Sequence, residues 1–217
     1  MIELTAADGH RLSAYKVVPD GQPIGGLVVM QEIFGLTEQM KRCTDRYAEA
    51  GYISILPAMF DRIERDVMLS YGDFQKGGQM AMAIDEQHLI IDIEAARQSV
   101  AGAGRTAIVG YCFGGTLAYL AACKLDFACA VSYYGGGIGR LTDRIQPKVP
   151  VMYHFGADDA FIPAAAIDQI KAADQAGIFH VYAGAGHGFC CDDRDGYERE
   201  AAAISETRSL AFLGEHL

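Results

Sequence analysis

Short apolar runs, many of them β-branched, alternate along most of the chain with longer stretches of helical period. That arrangement builds a mostly parallel sheet with helices on both faces. The opening departs from this rhythm. Residues 2–5 and 12–18 flank Asp8-Gly9, which predicts two strands joined by a tight turn, hence an antiparallel hairpin at one sheet edge. Residues 25–30 are continuously apolar, as a strand covered on both faces requires, and they end at Gln31-Glu32. Thr37 is placed to cap a helix running to about Ala50, with Gly51 where a left-handed residue closes it. Residues 52–56 form the next strand, stopped by Pro57. Later strands are predicted at 106–110, 129–134, 149–155 and 179–182, and helices at 80–100, 115–124, 163–176 and 198–213. In the first of these helices Ile84, His88, Ile91 and Ala95 share one side. Residues 61–78 mix charges, glycines and aromatics without a period, which marks them as a lid or substrate-side insertion. No repeat or linker interrupts the pattern, so residues 1–217 form one α/β domain, a length able to bury about 70% of its unfolded surface.

Composition narrows the function classes. The chain has 18 Lys and Arg against 28 Asp and Glu, a net charge of −10 that repels nucleic acid at long range. No basic run stands ready to gather an anion. No apolar segment approaches membrane-spanning length, and Met1-Ile2-Glu3-Leu4-Thr5 lacks the basic stretch and apolar core of a secretory signal. A cytoplasmic protein without membrane or nucleic-acid partners is expected; a monomer is compatible with the sequence, which leaves the oligomeric state open. The cysteines (Cys43, Cys112, Cys123, Cys129, Cys190 and Cys191) show no C-x-x-C spacing, so most are expected to be reduced thiols packed in the core.

One of them has a different setting. The strand ending Ile108-Val109 runs into Gly110-Tyr111-Cys112-Phe113-Gly114-Gly115 and then into helix-forming residues. Strand, G-x-C-x-G, helix is the context of a nucleophile elbow, where a sharp turn lifts the central side chain above the sheet and its neighbours must be small. The amides opening the following helix favour a thiolate there. The Phe113 amide, one residue on, points at the place where an oxyanion would develop. A small core cysteine in a glycine-rich turn fits the same residues.

What separates the two readings is that an acid and a histidine follow, each after a predicted strand, in the order nucleophile, carboxylate, histidine. Asp158 or Asp159 follows the run ending His154-Phe155, although either could simply cap the next helix. His187 sits between Gly186 and Gly188 after the last strand, on a loop able to fold over the sheet as a general base. An aspartate would fix its tautomer. The remaining histidines lie near the termini, on a helix or within strands. Glu32 ends the buried strand at 25–30, where it could hold a thiol proton or merely face solvent, and the Ile33 amide is placed to be a second oxyanion donor.

Together these residues resemble the dienelactone hydrolase family over nearly the whole chain. The resemblance is carried by Gln31-Glu32-Ile33-Phe34-Gly35, Gly110 through Gly115, Tyr133-Tyr134-Gly135, Asp159 through Pro163, Gly186-His187-Gly188-Phe189, Gly196-Tyr197, Arg208 and Phe212-Leu213. It implies an α/β-hydrolase fold and selects Asp159 over Asp158, because the family acid precedes an x-aromatic-aliphatic-proline sequence. It also gives Glu32 a role in activating the cysteine. The implied reaction is attack by Cys112 on an ester or lactone carbonyl, an oxyanion held by the Ile33 and Phe113 amides, and a thioester that water cleaves. No metal or organic cofactor is implied, and the partner is a small-molecule lactone or ester. One departure bears on substrate: the family's carboxylate-binding arginine, four residues after the histidine, is here Cys191. Arg194, Arg62 or Arg65 are the candidate substitutes, each equally readable as a solvated surface charge, and Tyr134 is a further candidate on the substrate side. Hydrolysis of a different open-chain ester, or a thiol sensor built on Cys112 or on Cys190-Cys191, is the alternative reading.

Overall fold

The apolar runs become neighbouring strands of a single eight-stranded sheet in a computed structural model that describes residues 1–217. The strands are β1 (Ile2–Thr5), β2 (Arg11–Val17), β3 (Gly25–Met30), β4 (Tyr52–Pro57), β5 (Thr106–Tyr111), β6 (Ala130–Tyr133), β7 (Val151–Gly156) and β8 (Ile178–Tyr182). They lie in the order β1-β2-β4-β3-β5-β6-β7-β8. β2 runs antiparallel to both β1 and β4, and every other pairing is parallel. The hairpin predicted at the N-terminus is therefore present, with Asp8-Gly9 inside a five-residue connection rather than a two-residue turn. Side chains alternate between the faces of a strand, so β3, β5, β6 and β7, buried at every position, are covered on both sides. This is the α/β-hydrolase architecture.

Six helices supply the cover: α1 (Glu38–Glu49), α2 (Phe74–Ala83), α3 (Glu86–Val100), α4 (Phe113–Lys124), α5 (Ala164–Ala173) and α6 (Arg199–His216). α1 lies along β2 and β4, α3 and α4 pack against each other and on β3, and α6 reaches β7. Thr37 caps α1 by accepting from the Met40 amide at 3.3 Å, and Gly51 follows in a left-handed conformation (φ 103°), both as the sequence leads one to expect. No helix is long and apolar enough to cross a membrane.

Two helix predictions are corrected. The single helix at 80–100 is two: Ile84 is extended (ψ 128°), and Asp85 starts α3 by accepting from the Gln87 amide at 2.8 Å. The face α3 buries carries Leu89, Asp92, Ile93, Ala96 and Val100, not the predicted side. A buried acid on that face hides the apolar stripe from a hydropathy reading. Asp92 is tolerated there because Arg62 bonds both its oxygens at 2.7 Å. α5 stops three residues early because Asp174 turns out of the helix to accept the Tyr153 hydroxyl at 2.7 Å. The aperiodic segment 61–78 is held against the loop after β3. Leu36 donates to Val67 at 3.1 Å, Leu69 donates to Phe34 at 2.8 Å, and the segment then enters α2.

Candidate active site

Four loops leave the carboxyl ends of β3, β5, β7 and β8, and each carries one of the polar residues singled out above. β5 delivers Cys112 with φ 56° and ψ −112°, a conformation that costs on the order of 1–3 kcal/mol and persists only where surroundings enforce it. The surroundings are close backbone contacts. A Cβ on Gly114 would lie 2.3 Å from the Met30 carbonyl oxygen, so α4 approaches β3 at a distance only glycine permits. The amide of Cys112 donates to Tyr133 on β6 at 3.0 Å, and its carbonyl receives the Thr116 amide at 3.2 Å.

His187 joins the pieces. Its Nδ1 lies 2.7 Å from Asp159 Oδ2 and its Nε2 lies 3.1 Å from Cys112 Sγ. The carboxylate accepts, so Nδ1 carries the proton and Nε2 faces the sulfur. Asp159 is itself aligned by the Phe161 amide, which donates to its other oxygen at 2.8 Å, whereas the neighbouring Asp158 is exposed. Burial opposes charging of the His187 ring, but the hydrogen bonds to Asp159 and Cys112 outweigh it and raise the pKa to about 10. The site is built to hold an imidazolium beside a sulfur.

Glu32 lies at the end of β3, 2% exposed, with Oε1 completing no hydrogen bond. Burial pushes its pKa up, against the opposing charges of Arg194 and His187 and the nearby Tyr134 hydroxyl, which also completes no hydrogen bond. Cys112 Sγ faces His187 rather than this carboxyl. The next residue, Ile33, lines the cavity together with Phe113, and neither amide donates elsewhere among the loop and turn hydrogen bonds. α2 fixes that loop from outside: a Cβ on Gly77 would lie 2.2 Å from the Ile33 carbonyl oxygen.

Above Cys112 and His187 opens a cavity of about 780 Å³, within the usual range for small-molecule sites. Its apolar lining comes from Ile33, from Phe74, Ala81 and Met82 of α2, and from Phe113, Leu141 and Phe161. Phe161 stacks on Phe74 (centroids 5.7 Å apart) and sets its edge against the His187 ring at 5.2 Å. The polar lining consists of Thr116, Arg140 and Arg144.

The expected substrate-side residues lie elsewhere. Arg62, besides holding Asp92, binds Asp8 at 2.9 Å, and it sits outside the cavity as a clamp between the hairpin turn and α3. Arg65 bonds the Arg11 carbonyl and Ser13 on β2. Arg194 is packed over the rings of Phe34, Tyr71 and Phe74 at 5.7 to 5.8 Å, a cation–π setting that leaves the guanidinium out of the cavity wall. Tyr134 is fully buried behind His187, ring centroids 5.2 Å apart, where it packs against the imidazole and takes no part in the cavity wall. Thr116, Arg140 and Arg144 went unnoticed in the sequence. The two arginines lie in and just beyond a single 3₁₀ turn, Ile138–Arg140, within a polar loop that has no period and no motif.

The other thiols are held protonated. Burial raises Cys43, Cys123 and Cys129 to about 12, Cys191 to about 11, and Cys190 well above its ordinary value. All six cysteines are unpaired. That chemistry weighs against a sensor built on Cys190-Cys191. No three His, Cys, Asp or Glu side chains gather in a way that could ligate a metal ion.

Comparison with known proteins gives the family. The chain is 32% identical over 223 residues to the carboxymethylenebutenolidase of Pseudomonas putida, covering 98% of this chain and 94% of that one. A Klebsiella pneumoniae crystal structure provisionally named a dienelactone hydrolase superposes with a TM-score of 0.82 at 25% identity, covering 97% of this chain and 96% of that one. A dienelactone hydrolase-like promiscuous phosphotriesterase from metagenomic libraries shares the fold, with a TM-score of 0.78 at 20% identity and coverage of 99% and 97%. The dienelactone hydrolase family model matches residues 12–217, and with that match spanning all but the first strand, the chain belongs to the dienelactone hydrolase family of carboxylic ester hydrolases.

Proposed function

We propose that the chain hydrolyses a lactone or carboxylic ester through a thioester on Cys112. The observation that carries this reading is the pair of contacts made by one imidazole, 3.1 Å to Cys112 Sγ and 2.7 Å to Asp159 Oδ2, at a nucleophile elbow beneath two uncommitted amides. Cys112, its proton already passed to His187 Nε2 across the 3.1 Å contact, attacks the acyl carbon as the thiolate of an imidazolium pair. The carbonyl oxygen becomes an oxyanion within reach of the Ile33 and Phe113 amides. Collapse breaks the C–O bond, and the imidazolium returns the proton to the leaving alkoxide, which stays tethered when the substrate is a ring. Water then gives a proton to His187, attacks the thioester and releases the carboxylate, leaving the thiol restored. Glu32, with one oxygen unpartnered, is in its carboxylate form a second group able to take the thiol proton as substrate enters, and burial favours the protonated state that results.

The test is hydrolysis of an enol lactone and of an open-chain aryl ester by wild type and Cys112→Ala, with mass spectrometry of an acid-quenched reaction. Turnover should fall more than about a thousandfold in the variant, with an acyl adduct on the wild-type peptide containing Cys112. Wild-type turnover by Cys112→Ala refutes the proposal. The ratio of rates on the two substrates separates a lactonase from an open-chain esterase.

A further inference from the structure

Thr116 is the one uncharged polar side chain in the cavity wall apart from the reacting pair. It stands half-buried on α4, one helical turn beyond the nucleophile. Its amide closes that turn by donating to the Cys112 carbonyl at 3.2 Å, so residues 112 and 116 lie on one side of the helix with Cβ atoms about 5–6 Å apart. The hydroxyl is oriented by the loop after β6. Its Oγ1 accepts the Gly137 amide at 3.0 Å, and a Cβ on Gly137 would lie 2.8 Å from Thr116 Cγ2 and 2.9 Å from Oγ1. Only glycine lets the loop come so near. A hydroxyl carries one proton and two lone pairs, so the bond from Gly137 leaves the proton uncommitted. Elsewhere in the fold helical threonines dispose of that proton locally: Thr44 on α1 donates to the Met40 carbonyl and Thr207 on α6 to the Ala203 carbonyl, each four residues back at 2.9 Å. Thr116 makes no such bond, and no acceptor within the protein takes its proton. A donor fixed by its own acceptor bond is thus held at the cavity, facing a lining that α2 keeps apolar with Phe74, Ala81 and Met82.

We infer that Thr116 is a specificity-determining residue, donating its hydroxyl proton to a neutral acceptor oxygen of the substrate. The substrate is an ester or lactone with an apolar body and one further ether or ester oxygen. The spacing sets where that oxygen lies: a separation of about 5–6 Å, less a hydrogen bond of about 2.8 Å, leaves room for two or three covalent bonds between it and the carbonyl attacked by Cys112. The inference rests on the hydrolytic reaction proposed above and names its substrate class.

The experiment uses pairs of esters in which one oxygen replaces one methylene. 4-Nitrophenyl methoxyacetate against 4-nitrophenyl butanoate puts the oxygen on the acyl side, and 2-methoxyethyl benzoate against butyl benzoate puts it on the alcohol side. The quantity read is the ratio of kcat/KM for the oxygen-bearing ester over its methylene partner, compared between enzymes so that intrinsic reactivity cancels. Thr116→Val keeps the shape and removes the donor; it should lower the ratio about three- to tenfold for one of the pairs, mainly through KM, as expected for one neutral hydrogen bond. Thr116→Ser keeps the donor and should hold the wild-type ratio to within about twofold. Thr116→Val also deprives the Gly137 amide of its acceptor, and a merely structural role would slow both members of a pair alike. Unaltered ratios for both pairs in Thr116→Val, or a drop in Thr116→Ser equal to that in Thr116→Val, overturn the assignment. Thr116→Ala is judged by the same criterion where Thr116→Val fails to fold. Cys112→Ala keeps the two proposals apart. Persisting turnover there refutes the cysteine mechanism, while the ratios in the Thr116 variants still decide the role of Thr116.

Discussion

Gly114→Ala isolates the link between the elbow and the oxyanion loop. The added methyl would sit 2.3 Å from the Met30 oxygen, 2.6 Å from the Met30 carbon and 2.7 Å from the Gln31 oxygen, all of them backbone atoms at the end of β3. Relief to an ordinary contact requires a shift of about 1 Å, in line with the close packing of protein interiors. The stretch that must shift leads directly into Glu32 and Ile33. Overpacking of this kind costs about 1–3 kcal/mol, and replacing a helical glycine by alanine returns about 1 kcal/mol. The net loss of roughly 0–2 kcal/mol corresponds to a fall in Tm of at most about 8 °C for a chain of this size. Activity should suffer far more, because a 1 Å misplacement of a group that stabilises the transition state costs about a hundredfold. The assay pairs a thermal melt with steady-state kinetics on an aryl ester, plus the rate of Cys112 alkylation as a check that the sulfur stays accessible. A Gly114→Ala protein that keeps wild-type kcat, or one whose alkylation rate collapses together with kcat, would refute the claim that this glycine acts through the position of the oxyanion loop.

The remaining predictions concern the charged groups. Asp159→Asn removes the carboxylate that helps raise the His187 pKa to about 10, so turnover should fall by about a thousandfold or more. A histidine whose pKa is raised on folding stabilises the fold fully below its ordinary value of 6.5 and loses that contribution as pH passes about 10. The stability gap between wild type and Asp159→Asn, read by urea denaturation, should therefore be widest near neutral pH and narrow above pH 10; a gap that widens with pH contradicts this account. Glu32→Gln is expected to leave stability at pH 7 unchanged or raised, because burial raises the Glu32 pKa and so makes its ionised form costly to the fold. Turnover should nevertheless drop by about a hundredfold if Glu32 handles the thiol proton, and full turnover by Glu32→Gln removes it from the mechanism.

The polar residues at the strand ends were legible because strands themselves are. Residues 25–30 announce a buried strand by their unbroken apolar character, and 106–110, 149–155 and 179–182 are short, mainly apolar and β-branched or aromatic runs that mark further strands. A parallel sheet brings the carboxyl ends of its strands to one edge, so Glu32, Cys112, Asp159 and His187 could be gathered on paper before any distance was known. The glycines around Cys112 added local proof, since each marks a contact that a side chain would fill. The choice of Asp159 over Asp158 came only from resemblance. In the structure it is decided by burial and by the Phe161 amide, neither of which leaves a period in the sequence.

The walls of the cavity were illegible for the complementary reason. α2 was missed because glycines at 77 and 78 and a run of small and polar residues lower its helical signal, and because Asp92, paired with Arg62, broke the stripe that would have separated α2 from α3. Arg62 illustrates how sequence proximity to an aperiodic segment misleads: the charge is real, but a buried acid thirty residues away claims it. Arg140 is the reverse case. It stands in a one-turn element with no pattern, lines the cavity and forms no ion pair. Chemistry at strand ends is thus fixed by the regular part of the fold and can be read from periodicity. The cavity lining is left to irregular segments, where which charges remain unpaired after folding becomes visible only in three dimensions.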